Sequence, residues 1–115
     1  MTIRKIQELL QAQVLLGEDR LDEEVDSAFG ADLMSDVLAF VQEKTVLITG
    51  LVNQHVIRTS EMLDIFCIVF SRGKVPEKEI LDEAEENGII VLSTKFTSYT
   101  SSGILYTHGL PGVDR

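Results

Sequence analysis

Two runs of consecutive apolar residues constrain the fold of this chain most strongly. They read IFCIVF at Ile65–Phe70 and IIVL at Ile89–Leu92. A strand with one face in water alternates apolar and polar residues, whereas a strand that is apolar at every position has both faces buried. Such strands are typical of a parallel sheet that is covered by helices on both sides, so the two runs indicate an α/β fold.

The segments around these runs alternate between strand and helix patterns. A short β-branched strand is predicted at Val46–Thr49 and ends at Gly50, and a helix over 54–63 follows it, with Asn53 as the N-cap. Between the two apolar strands, Pro76 suits the first position of a helix and Gly88 its C-terminal stop.

The other apolar patterns complete a single domain over residues 1–115. Helices are predicted over 3–11, 34–43 and 97–108, strands at Val14–Leu16 and around Val25–Phe29, and an N-cap for the second helix at Ser35 or Asp32. This order predicts a three-layer α/β/α domain with a mostly parallel sheet. Within that sheet we expect Val46–Thr49, Ile65–Phe70 and Ile89–Leu92 to be parallel neighbours.

Composition excludes several classes of protein. The chain has 19 acidic and 10 basic residues and a net charge of −9, which argues against binding to nucleic acid or to anionic membranes. Its longest uninterrupted apolar run is far shorter than the roughly 20 residues of a membrane helix. Glutamine and glutamate interrupt the apolar positions of the first 16 residues, unlike in a signal peptide. We therefore expect a cytoplasmic protein with a reduced thiol.

No catalytic, metal or cofactor motif emerges from the sequence. It contains no Gly-x-Ser-x-Gly elbow, no Walker pattern and no G-x-G-x-x-G fingerprint. Its single cysteine, Cys67, lies in the middle of an apolar strand and is expected to be an inert core thiol. His55 and His108 share no metal-ligand spacing. We therefore predict no catalytic residue, no metal site and no cofactor.

Basic residues gather where the predicted parallel strands end. Ligands of open parallel sheets bind beyond the carboxyl ends of the strands, where helix N-termini also attract anions. We predict an anion pocket there, lined by Gly50, Asn53, His55, Arg58, Arg72, Gly73, Lys74, Thr94 and Lys95. Alternatively, these bases merely neutralise nearby carboxylates.

The last predicted helix carries more apolar groups than one buried stripe needs. They are Tyr99, Ile104, Leu105 and Tyr106, with Leu110 just beyond. An exposed apolar surface of this kind marks an interface, so we expect a homodimer. The alternative is that both faces of this helix are covered within the chain.

The run from Ile48 to Leu110, which includes ITGLVNQHVIRTSEM and IFCIVFSRGKVPEKE, resembles the DRTGG domain family. The Asp-Arg part of the family motif falls near Val56–Arg58, where Arg58 matches the arginine. The Thr-Gly-Gly part corresponds to Ser71-Arg72-Gly73 and keeps one glycine. The N-terminal helix and strand also fit, so the resemblance covers most of the chain and is similar to a free-standing branch of the family.

This resemblance implies an α/β fold related to HPr-kinase-like N-terminal domains. It also implies a regulatory or ligand-binding module that often self-associates and has no catalysis of its own. Members occur beside CBS domains in regulated pyrophosphatases and in some phosphotransacetylases. Three hypotheses follow: a regulatory module that binds a small anionic ligand such as a nucleotide, an interaction or dimerisation module without a ligand, and an enzyme subunit related to phosphoryl or acetyl transfer.

Overall fold

The computed structural model describes residues 1–114 as five α-helices and five β-strands with one single-turn 3₁₀ helix at Glu18–Arg20. The helices are α1 (Ile3–Leu9), α2 (Met34–Phe40), α3 (Gln54–Met62), α4 (Lys78–Glu86) and α5 (Ser98–Thr107). The strands are β1 (Gln13–Leu16), β2 (Ser27–Gly30), β3 (Thr45–Thr49), β4 (Cys67–Phe70) and β5 (Ile90–Ser93).

The five strands form one sheet in the order β1-β5-β4-β3-β2. Strands β2 to β5 pair in parallel, which confirms the predicted neighbours β3, β4 and β5. Strand β1 pairs antiparallel with β5 at one edge of the sheet, a pairing that the sequence did not predict. Thr49 pairs with Phe70 and Phe70 with Ser93, so the three central strands end level with one another.

Helices cover both faces of this sheet, as the apolar strands predict. Val46, Cys67 and Val69 lie on the face under α1 and α5. Leu47 and Ile68 lie on the opposite face, under α2, α3 and α4. All five side chains are fully buried, and Cys67 is therefore the core thiol that the sequence predicted. The fold is a three-layer α/β/α domain with a mostly parallel sheet.

The ends of two helices differ from the prediction. Helix α2 ends at Phe40, and neither Asp32 nor Ser35 caps it, because Leu33 occupies the N-cap position without a side-chain hydrogen bond. Pro76 precedes the α4 N-cap, Glu77, where the backbone is still extended with a ψ of 159°. By contrast, the predicted N-cap of α3 is confirmed, since the Asn53 side chain accepts a hydrogen bond from the Val56 amide.

Within residues 1–114, none of the helices combines the length and the apolar character that crossing a membrane would require.

Replacing Cys67 with aspartate is expected to abolish cooperative folding. The thiol is fully buried within β4, and an unpaired carboxylate there would cost several kcal/mol, a large part of the roughly 5–15 kcal/mol that stabilises a domain. Circular dichroism during thermal unfolding measures this effect, and Cys67→Ala is the matched control that should still fold. A Cys67→Asp protein with a wild-type melting transition would contradict the core assignment.

Candidate functional site

The candidate site lies along the level carboxyl ends of β3, β4 and β5. Gly50 follows β3, Ser71 follows β4, and Thr94 follows β5. The parallel crossovers bring the starts of α3, α4 and α5 to this same edge. The geometry therefore assembles backbone turns, helix N-termini and several basic side chains in one place.

A tight turn of unusual sequence follows β4. The Lys74 amide donates a hydrogen bond to the Ser71 carbonyl over 3.2 Å, and the two central residues, Arg72 and Gly73, have φ angles of 59° and 70°. Two positive φ angles in succession are typical of a type I′ turn, whose central positions favour glycine, asparagine and aspartate. An arginine in this left-handed conformation costs about 1–2 kcal/mol; among the described non-glycine residues, Gln11, Lys44 and Asp64 also have positive φ angles.

Two backbone hydrogen bonds, from the amides of Arg72 and Gly73, fix the conformation of this turn. The Arg72 amide donates to the Phe96 carbonyl over 2.8 Å, and the Gly73 amide donates to the Thr94 carbonyl over 2.7 Å. These bonds tie the turn to the segment between β5 and α5. The direction in which the Arg72 side chain leaves the backbone is therefore fixed, although the side chain itself is exposed.

The Arg72 guanidinium lies against Gly50. Its Nη2 atom is 3.4 Å from the Gly50 carbonyl oxygen, and a Cβ atom added at Gly50 would lie 3.0 Å from Cζ. Any side chain at position 50 would displace the guanidinium. The guanidinium therefore occupies space that the glycine after β3 leaves open.

Asp32 is a site residue that sequence reasoning missed. Its Oδ1 atom accepts hydrogen bonds from the Gly50 amide over 2.8 Å and from the Thr49 hydroxyl over 3.0 Å. The sequence placed Asp32 as a helix cap. Its position two residues after the carboxyl end of β2, at the same edge as Gly50, was the available signal. Gly50 thus has a carboxylate on its N–H and a guanidinium on its C=O.

Arg72 also differs from the other arginines in its charge partners. Arg4 pairs with Asp22, Arg20 with Glu23, and Arg58 with Glu83. Over residues 1–114, Arg72 is the arginine with no carboxylate within 4 Å. In a chain with a net charge of −9, an arginine free of such a partner is available to an external anion.

Arg20 differs from Arg72 in that every nitrogen of its guanidinium is hydrogen-bonded within the chain, and its partners include a carboxylate. It binds Glu23 and the Gly88 carbonyl, which lies just before β5 and therefore at the amino ends of the parallel strands. The hydrogen bond from Arg20 holds the pKa of the Glu23 carboxyl below its ordinary value, and the same bond raises the pKa of Arg20. Arg20 therefore serves to join two loops.

The other predicted site residues occupy different settings. Lys74 and Lys95 are exposed at the same edge as Arg72 and have no salt bridge within residues 1–114. The Thr94 hydroxyl is buried, and it donates to the Leu10 carbonyl over 2.7 Å. Arg58 lies one turn into α3, where its Nε atom is 3.8 Å from Glu83 Oε1.

Asn53 and His55 line a separate groove between the starts of α3 and α4. Glu77 and Glu79 form the other side of this groove. The two carboxylates oppose an anion there. The structure brings Gly50 and the Arg72–Gly73 turn together, with Lys74 and Lys95 in the segments bonded to this turn. Asn53 and His55 instead line the groove with Glu77 and Glu79, and Arg58 pairs with Glu83.

A pair of hydroxyl groups connects the turn to α5. Ser71 Oγ and Ser98 Oγ lie 2.8 Å apart, with Ser98 in the first turn of that helix. Sequence reasoning did not single out this pair. Together with the bonds to Phe96 and Thr94, it makes the turn and the start of α5 one connected unit.

The fold is similar to a solved regulatory structure. The search of curated proteins found no match. Among solved structures, the chain is similar to the CBS and DRTGG domains of the regulatory region of a Clostridium perfringens pyrophosphatase, complexed with the activator diadenosine tetraphosphate. The TM-score is 0.73 at 23% sequence identity, over 96% of this chain.

The chain spans 47% of that regulatory structure, or about half its length. The DRTGG domain family matches residues 5–107, which is nearly all of the present sequence. The chain therefore belongs to the DRTGG domain family.

Proposed function

We propose that this chain is a non-catalytic regulatory module that binds a small anionic ligand at the carboxyl edge of its sheet. The observation that carries the proposal is Arg72: an exposed arginine on a strained, backbone-pinned turn, without a carboxylate partner among residues 1–114. The arginines at positions 4, 20 and 58 each pair with a carboxylate of the chain. The guanidinium of Arg72 is free to pair with the anionic group of a ligand.

The chemistry of the edge suits a phosphate or a carboxylate. The planar guanidinium of Arg72 can donate two parallel hydrogen bonds to such a group. Lys74 and Lys95 add positive charge at the same edge. The amides of Gly50 and Gly73 already donate to Asp32 and to the Thr94 carbonyl, so the three cations and not these backbone groups would hold the ligand.

A nucleotide is the anion that we favour. The exposed Asp32 carboxylate uses Oδ1 to bind the Gly50 amide, and it is an acceptor for hydroxyl groups close to the Arg72 cation. A ligand with both hydroxyl and phosphate groups matches this pair of neighbours. The similar regulatory region binds diadenosine tetraphosphate, which lends further support to a nucleotide.

The absence of catalysis is part of this proposal. The one thiol, Cys67, is enclosed in the core, and burial raises its pKa well above the ordinary value for a cysteine. The Ser71 and Ser98 hydroxyls beside the Arg72 turn bind each other, and the Ser93 hydroxyl donates to the Lys74 carbonyl. A nucleophile at this edge would need a neighbouring base to activate it.

The second candidate function is an interaction module that works without a small ligand. Helix α5 favours it, because Tyr99 and Tyr106 are exposed there. The two functions are separable, since ligand binding depends on Arg72 and association depends on α5.

Replacing Arg72 with alanine is expected to weaken ligand binding tenfold or more while the protein stays folded. A charge-assisted hydrogen bond contributes roughly 1.5–3 kcal/mol, and 1.4 kcal/mol corresponds to a tenfold change in affinity. Isothermal titration with nucleotides, sugar phosphates and acyl phosphates measures this effect. Arg4→Ala is the matched control, because Arg4 is an exposed arginine paired with Asp22.

Two results would contradict the binding proposal. One is that none of these compounds binds the wild-type protein more tightly than millimolar. The other is that Arg72→Ala and Arg4→Ala bind the same compound with wild-type affinity. In either case the interaction module becomes the better account of the domain.

Replacing Arg72 with asparagine is expected to stabilise the protein while it weakens binding as much as Arg72→Ala does. Asparagine tolerates positive φ, so the substitution relieves about 0.5–1 kcal/mol of backbone strain. Functional sites often keep residues that lower the stability of the fold in this way. Urea unfolding measures the change, and Lys95→Asn removes the same charge from the same edge as a control. An Arg72→Asn protein less stable than Lys95→Asn would show that the arginine is not under strain.

A further inference from the structure

A pocket lies between helix α5 and the carboxyl ends of strands β2 and β3. Gly30 and Ile48 line it from the sheet, Ser102 and Leu105 line it from α5, and Asp114 lines it from the C-terminal segment. Its volume is about 200 Å³, below the roughly 300–1,000 Å³ that a site for a complete drug-sized ligand occupies. A space of this size suits one ring system of a larger ligand.

Gly30 keeps this pocket open. The glycine is exposed at the end of β2, pairs in regular register with Ile48 and does not have a positive φ angle, so its backbone conformation does not require glycine. A Cβ atom added at Gly30 would lie 3.4 Å from Ser102 Oγ, so a larger side chain would project into the space between β2 and α5. Glycine weakens a strand, and it often marks a place where a ligand approaches closely.

The pocket lies on the same face of the sheet as the Arg72 guanidinium. Ile48 packs in the apolar cluster under α5, and Gly50 follows β3 two residues beyond it. Positions two residues apart along a strand point to the same face and are separated by about 7 Å. The space into which a side chain at Gly50 would project holds the guanidinium. The pocket and this cation are therefore neighbours.

Asp32 connects the pocket to the cation. It comes two residues after Gly30, and its Oδ1 atom accepts the hydrogen bond from the Gly50 amide. From Gly30 through Asp32 to Arg72, the surface thus presents an apolar pocket, an acceptor for hydroxyl groups and a cation. A nucleotide presents its base, its ribose hydroxyls and its phosphate in the same order.

The polar groups of the pocket suit a nitrogen-containing ring. Ile48 and Leu105 supply apolar walls, whereas the Ser102 hydroxyl and the Asp114 carboxylate supply hydrogen-bond acceptors. Among residues 1–114, the Ser102 side chain has no hydrogen-bond partner. Apolar walls with a few polar groups that fix orientation are typical of small-molecule sites. A heteroaromatic base offers a matching apolar surface with N–H groups at its edge.

We propose that this pocket holds the base of a nucleotide whose phosphate is bound by Arg72. The proposal rests on the proposed function, because it requires the anion site at the strand ends. It adds the position of the base and the residues that select it. Nucleotides should therefore bind more tightly than inorganic anions that carry the same phosphate groups.

Isothermal titration with ADP and with inorganic pyrophosphate tests the proposal, because pyrophosphate is a diphosphate without the base and ribose. The wild-type protein is expected to bind ADP about tenfold or more tightly than pyrophosphate, since burial of one ring in an apolar pocket contributes about that much. Gly30→Val fills the pocket and should remove this preference while pyrophosphate affinity stays unchanged. Gly103→Val is the matched control, because Gly103 is exposed on α5 and does not line the pocket.

Ser102→Leu fills the pocket from the opposite wall and should cause the same selective loss. Leucine favours a helix more than serine does, so this variant is expected to fold, as thermal unfolding will show. Equal wild-type affinities for ADP and pyrophosphate would overturn the base pocket and leave the anion site standing. A folded Gly30→Val or Ser102→Leu protein with wild-type affinity for ADP would do the same. If neither compound binds, the proposed function fails as well.

Discussion

The burial of both faces of β3, β4 and β5 is the constraint on which the rest of the structure depends. These strands are apolar on either side, so helices must cover the sheet above and below. Parallel strands then need crossover helices, and this connectivity brings the carboxyl ends of β2 to β5, with the starts of the helices that follow them, to one edge. The location of the candidate site is therefore a consequence of core packing. It does not depend on which polar residues lie at that edge.

The sequence predicted those parts of the fold that depend on apolar periodicity. The parallel neighbours β3 to β5 and the Asn53 cap follow from residues that act locally. The antiparallel pairing of β1 with β5 could not be predicted, because a four-residue strand with a mixed pattern can pair at either edge of a sheet. Pro76 was predicted at the first position of α4 because proline suits that position. The backbone is still extended at Glu77, so the helix begins only at Lys78.

The candidate site was predictable in location but not in detail. The order of strands and helices places Arg72, Lys74 and Lys95 at one edge, and the structure shows them there. The partners of Arg58 and Asp32 depend on how α3 packs on α4 and where β2 ends beside β3. Such contacts join residues distant in sequence, so no local pattern reveals them. The strained backbone at Arg72 could be recognised only from its φ angle, which the sequence does not reveal.

The central claim is that an anion binds where the Arg72 turn meets Gly50, and an NMR titration of uniformly ¹⁵N-labelled protein tests it most directly. With ATP and diadenosine tetraphosphate as probes, the account predicts saturable shifts at the amides of Gly50, Arg72, Gly73 and Lys95. The groove beside Glu77, where carboxylates oppose an anion, should show none. Shifts confined to that groove, or no shifts at any amide of the strand ends, would contradict the account.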